Sequence, residues 1–145
     1  MGLDMYLFKR KKVRDDDKDL NKSAYNQRLY RARENEEEIL YWRKANMIRS
    51  WFVNHTALLS DDDGVYIPIC RETLELLRSD LIDTLDNHNL ATVLFPTSSG
   101  FFFGDTEYNE YYWDKLKYTL ERVNNILDND VIDWENEVIE YCDSW

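Results

Sequence analysis

The 145-residue chain is long enough for one domain to bury its own core without metal or disulfide staples, and its 43% hydrophobic and 32% charged residues exclude intrinsic disorder. Its formal charge of −11 is uneven: residues 1–33 carry ten Lys and Arg against five Asp, whereas residues 34–145 carry eight against 24 acidic residues. A field of that sign repels phosphates, which excludes a broad nucleic-acid-binding face and leaves two uses for the charge, solubility and attraction of a basic protein partner.

Two cysteines, Cys70 and Cys142, stand far apart with neither a CxxC pair nor metal-ligand spacing. Each is read as a buried free thiol in a reducing compartment. No apolar run approaches the roughly 18 residues of a membrane span, and Met1 leads into Asp4 rather than into a signal segment, so a soluble cytoplasmic protein is expected. Five Trp and ten Tyr bring the aromatic content to 14%, which points to a rigid core or a binding surface.

In chain order, Leu3, Met5 and Leu7 alternate with Asp4, Tyr6 and Phe8, so residues 3–13 read as a first strand ended by Asp15-Asp16-Asp17. The basic run Lys9 to Lys12 marks that strand as a protected sheet edge. Residues 18–37 are polar, with Leu20, Tyr25, Leu29 and Tyr30 as anchors, and read as a mobile excursion or a loosely packed helix. Glu36 to Leu40 fit either a short strand or the start of the next helix.

That helix is expected over 42–57, with Tyr41, Ala45, Ile48 and Phe52 on one face and Arg43, Asn46, Ser50 and Asn54 on the other. Asp61-Asp62-Asp63-Gly64 signals a turn, and its spacing lacks the alternating ligands of a calcium loop. A short strand at 65–69 is placed at an edge by Pro68. A helix at 71–86 presents Leu74, Leu77, Leu81 and Leu85. The segment Phe95 to Thr106 concentrates two of the four glycines and should make a tight, buried turn. A helix over 108–128 carries Tyr112, Leu116, Leu120, Val123 and Leu127, and a final strand near 134–143 pairs with the first. The expected whole is a single α+β domain, residues 1–145, with a small antiparallel sheet packed against about three helices.

Strong catalytic and nucleotide signatures are missing: the sequence holds no Walker A loop, no GxGxxG, no HExxH and no GxSxG. Thr97-Ser98-Ser99-Gly100 offers hydroxyls and amides to an anion, but with no Lys after the glycine a structural Ser/Gly turn is the plainer reading. His55 and His88 lack metal-ligand spacing, and His55 reads as a core or rim residue. No catalytic residue, metal or cofactor is assigned. The densest chemistry lies in Glu38 to Phe52, where Arg43 can grip an anion, Asn46 can read an amide or base edge, and Trp42 or Trp51 can stack on a ring. The competing reading makes the tryptophans core and pairs the arginines with neighbouring acids.

At these residues the chain resembles a widespread, uncharacterised family of small proteins encoded by bacteriophages and prophages. The resemblance rests on Met1-Gly2-Leu3-Asp4-Met5-Tyr6-Leu7, on Tyr41-Trp42-Arg43-Lys44-Ala45-Asn46 with Trp51-Phe52, on Pro96-Thr97 and Ser99-Gly100-Phe101-Phe102-Phe103-Gly104 with Thr106 and Tyr108, and on Ser144-Trp145. These blocks span the chain. It departs from the family pattern in carrying Arg49 where a histidine is usual, Leu40 where a small residue is usual, and Tyr141-Cys142-Asp143-Ser144-Trp145 where Tyr-Gln-Ser-Ser-Trp is common. An acid–base role of that histidine therefore has no carrier here, and binding is favoured over catalysis.

The resemblance implies a phage accessory protein of the bacterial cytoplasm that counters host defence by binding a small anionic, nucleotide-like ligand or a basic host protein. The alternatives are an acidic mimic of nucleic acid that blocks a basic groove and an enzyme acting on a nucleotide. The expected ligand pocket joins Trp42, Arg43, Asn46 and Trp51 to Thr97, Ser99, Gly100 and Gly104, with Trp145 closing it.

Overall fold

The computed structural model describes residues 2–13, 22–100 and 103–145. Within them the frame is an antiparallel four-stranded sheet in the order β2-β1-β4-β3, with β1 at Asp4–Lys11, β2 at Glu37–Arg43, β3 at Ile67–Ile69 and β4 at Glu137–Ser144. The helices among the same residues are α1 (Lys22–Glu34), α2 (Asn46–His55), α3 (Arg71–Asp86), α4 (Ala91–Leu94) and α5 (Glu110–Asp128), with a 3₁₀ turn at His88–Leu90. The α+β class and the pairing of the first strand with the last agree with the sequence reading.

The sheet follows from the alternation in β1. Leu3, Met5 and Leu7 are fully buried, whereas Asp4, Tyr6 and Phe8 lie half-buried on the other face. Met5 is flanked by Trp42 and Asp143, and Leu7 by Leu40 and Tyr141, so one inward row crosses three strands. Helices α2, α3 and α5 complete this core through residues such as Ile48, Phe52, Leu74, Leu77, Tyr112 and Leu116. Burying side chains of this size contributes roughly 1.5–3 kcal/mol each. The outer edge of β2 is closed by α5: Tyr118 Oη donates to the Tyr41 carbonyl at 2.9 Å and Arg122 to the Ile39 carbonyl at 3.4 Å.

Three expectations need correction. The helix over 42–57 is instead the end of β2 followed by a shorter α2. Leu40 and Trp42 point inward and Tyr41 and Arg43 outward, a period of two that pairing with β1 selects over the helical template. Lys44, at φ 53°, takes the left-handed conformation that breaks the strand, and its N–H donates to the Leu3 carbonyl at 2.6 Å. Second, β1 is an interior strand, so its basic run does not guard an edge. Lys9 sits over the Val131 carbonyl and between Glu37 and Glu137. Third, the cysteines are not both buried: both are free, but Cys70 is exposed and Cys142 half-buried.

Elsewhere the shifts are small. The strand expected at 65–69 is trimmed to β3, which does lie at the sheet edge, and β4 begins three residues later than expected. The excursion at 18–37 contains α1, a helix with no buried residue that matches the loosely packed reading. Residues 18–21 and the stop at Asp15-Asp16-Asp17 fall outside the described residues.

The helix α1 meets the outer face of the sheet through Arg33, whose guanidinium donates to both oxygens of Glu140 at 3.1 and 2.8 Å. Arg10 Nε donates to the same carboxylate at 2.7 Å, and Glu140 is only 3% exposed. Burial works to raise the Glu140 carboxyl, but Arg33 and Arg10 outweigh it and hold the group below its ordinary 4.5. A carboxyl lowered on folding stabilises the native state above its unfolded pKa, and that contribution disappears as pH falls through the lowered value. Glu140→Gln should therefore cost roughly 2–3 kcal/mol near neutral pH. In urea unfolding, the gap to wild type should close as the pH is taken below 4.5.

Candidate functional site

The polar residues that open α2 are buried, which a fold tolerates when their polar atoms find partners. Asn46 is fully buried and meets that condition. Its amide nitrogen donates to the carbonyls of Phe103 and Asp105 at 3.0 and 2.9 Å, and its oxygen accepts from the Ser98 N–H at 3.0 Å. Both donors and the acceptor are thus occupied by the 96–106 loop. Asn46 clamps that loop onto α2 and has no donor left for a ligand.

The loop is shaped by its glycines. The Phe103 N–H donates to the Gly100 carbonyl at 3.1 Å, closing a turn, and a Cβ on Gly100 would come within 2.9 Å of the Phe103 ring. Gly104 has φ +87° and abuts the Lys44 side chain, 3.1 Å from where its Cβ would stand. The expected tight turn is present, but Ser99, Gly100 and Gly104 are exposed, and only Phe103 among those described from 99 to 104 is buried. The Thr97 N–H donates to Tyr108 Oη at 3.1 Å.

Beneath this loop lies Arg49, 3% exposed. Its Nε donates to Asp143 Oδ2 at 2.8 Å, and its remaining donors reach the Ser60 and Asp62 carbonyls at 3.0 and 2.8 Å. Phe103 and Trp145 pack over the guanidinium, with ring centres 5.2 and 5.7 Å from its carbon. Tyr141 Oη donates to the same Asp143 oxygen at 2.6 Å, while Oδ1 is buried without a partner. Burial raises the Asp143 carboxyl despite Tyr141 and Arg49, as a desolvated carboxylate requires.

Of the expected ligand residues, Asn46 meets the described part of the loop through Ser98 and Phe103, and Trp145 joins them by an edge-on contact with Phe103 at 5.3 Å. Trp145 also donates Nε1 to the Asp62 carbonyl at 2.9 Å. The tryptophans Trp42 and Trp51 do not join them. Both are core residues, with Trp42 Nε1 donating to Thr119 Oγ1 at 2.8 Å and Trp51 Nε1 to Asp80 at 2.9 Å. His55, read as core or rim, stacks on Trp51 at 4.2 Å from the rim. Arg43 leaves the group too, because it stands on β2 with its side chain on the outward row.

Arg43 marks a different place. A cleft of about 380 Å³ lies between the end of β2 and α5, with Tyr41, Trp42 and Arg43 on one wall. Tyr111, Asp114, Lys115 and Tyr118 form the other. Arg43 is about half exposed, and one of its amines donates to Asp4 at 2.9 Å. Asp4 also accepts from Tyr41 Oη at 2.5 Å, so one carboxylate orients both residues. The Tyr41 bond and then Arg43 hold Asp4 below its ordinary value against the effect of burial, and the bond to Asp4 raises Tyr41. Lys115 Nζ sits 4.9 Å from the centre of the Tyr111 ring. The α5 residues were legible as Tyr111, Lys115 and Tyr118 at i, i+4 and i+7, a stripe outside the core positions that the sequence reading left unused.

Comparison of the chain with protein-family models, curated proteins and solved structures finds no match. Among the described residues no group of three or more His, Cys, Asp or Glu could hold a metal ion, and no helix is long and apolar enough to cross a membrane.

The loop clamp is directly testable. Asn46→Ala leaves the Ser98 N–H and two carbonyls unpartnered and should cost roughly 2–3 kcal/mol in chemical denaturation. Asn46→Asp, which keeps an acceptor but turns a negative charge toward the Phe103 and Asp105 carbonyls, should cost at least as much.

Proposed function

We propose that the protein is a non-enzymatic phage accessory protein that counters host defence by binding a small anionic, nucleotide-like ligand in the cleft between β2 and α5. The phage setting rests on the family resemblance, and the binding role rests on the cleft. The observation that carries it is Arg43: a half-exposed guanidinium fixed by Asp4 at the wall of a cleft that also holds Lys115 and three tyrosines. Arginine presents a planar fork of donors, of which Asp4 takes one and leaves others for an anion. Tyr41, Tyr111 and Tyr118 supply ring faces or edges for a planar group, and about 380 Å³ suits a single nucleotide-sized molecule.

A second cleft of equal volume, between α3 and β4, is lined by Pro68, Ile69, Trp134, Val138 and Ile139. Its lining sets the carboxylates of Glu72 and Glu137 against Lys12 and Arg71, and it offers an anion less.

Titration calorimetry with nucleoside monophosphates, triphosphates and cyclic dinucleotides tests the reading. Binding without product formation is expected. Arg43→Ala should weaken it more than tenfold, the worth of one charge-assisted contact of about 1.5–3 kcal/mol, with the melting temperature nearly unchanged. Product formation would favour an enzyme. A variant that unfolds would make Arg43 a structural partner of Asp4 and end the proposal.

A further inference from the structure

The outer face of the sheet carries a row of half-buried rings. Tyr41 and Tyr6 lie 5.2 Å apart, Tyr6 and Phe8 5.2 Å, and Phe8 and Tyr66 6.4 Å. At the Tyr66 end, Arg33 covers the ring at 4.2 Å while its guanidinium grips Glu140. Beside them Glu36 accepts from Tyr66 Oη at 3.0 Å through one oxygen, and its other oxygen is buried without a partner. A ring, a bidentate carboxylate and a spare acceptor together make a receptor for a guanidinium.

No residue of the helix that fills this receptor is fully buried: Ala24, Leu29, Ala32 and Arg33 are half-buried and the others exposed, and isolated helices shorter than about 12–15 residues are marginal in water. It is also cationic, with Lys22, Arg28, Arg31 and Arg33 against Glu34, on a body whose remaining residues are strongly acidic. A nucleic acid is a poor occupant, because Glu36, Glu38 and Glu140 face it.

We infer that this outer sheet face is a docking surface for an arginine-bearing basic segment of a protein partner, and that α1 is its resident occupant, displaced when the partner's arginine takes the place of Arg33. The inference goes beyond the cleft reading and does not depend on it. Glu140 keeps its ion pair through the exchange, and the free Glu36 oxygen gives the incoming guanidinium one acceptor that Arg33 leaves unused. Ring contact along Phe8 and Tyr6 then extends the surface toward β2.

Hydrogen exchange of the full chain, with hexa-arginine as probe and hexa-lysine as control, tests this. Saturating hexa-arginine should speed exchange of the amides at 22–34 and leave the core strands protected. Arg33→Ala, which removes the internal competitor, should bind hexa-arginine about tenfold tighter than wild type. Hexa-lysine should bind more weakly to both, lacking the planar fork. Glu140→Gln should lose binding. Unchanged exchange at 22–34 when the peptide is bound, or equal affinity of wild type and Arg33→Ala, overturns the inference. Should Arg33→Ala fail to fold, the exchange measurement on wild type and the Glu140→Gln titration decide it.

Discussion

The buried ion pair of Arg49 with Asp143 is the constraint on which most of the arrangement depends. Removing two charges from water costs several kcal/mol per ion, and the attraction between them offsets this only when the remaining donors are also satisfied. Here the other donors of Arg49 reach carbonyls of the 59–62 segment, and Tyr141 adds a donor to Asp143. The pair therefore fastens α2, the end of β4 and the segment before β3 at one point. Phe103 and Trp145 cover it, so the 96–106 loop and the last residue are positioned by the same guanidinium.

The cleft inherits its geometry from a second set of contacts one turn earlier. Lys44 breaks the chain between β2 and α2, and this sends Arg43 outward while Asn46 goes inward. Trp42 then bonds Thr119 across the core, setting α5 against β2 at the spacing that leaves the cleft. Loop and cleft flank one chain reversal, the loop closed by Asn46 and the cleft left open beside Arg43. Rigid support beneath and exposed chemistry above is what a binding site needs.

Much of the fold was legible because its signals are local. The alternation of Leu3, Met5 and Leu7, the leucine spacing of α3 and the stripe along α5 each rest on one short window. The break at Lys44 was not legible, since Tyr41, Ala45, Ile48 and Phe52 satisfy a helical period by coincidence, and only pairing of Trp42 with Met5 in the sheet decides against it. The site suffered from the same error: once Tyr41 to Arg43 belong to a strand, Trp42 turns to the core and Arg43 away from Asn46. The Arg49–Asp143 pair spans 94 positions and no periodicity announces it.

A double-mutant cycle across that pair is the most direct measurement. Arg49→Met and Asp143→Leu each strand a charge in the core and should each cost about 3–5 kcal/mol in chemical denaturation. Combined, they replace the pair with apolar groups, and the double variant should be more stable than either single one, with a coupling energy of at least about 2 kcal/mol. Losses that simply add would mean that Arg49 and Asp143 act independently, and would contradict the account.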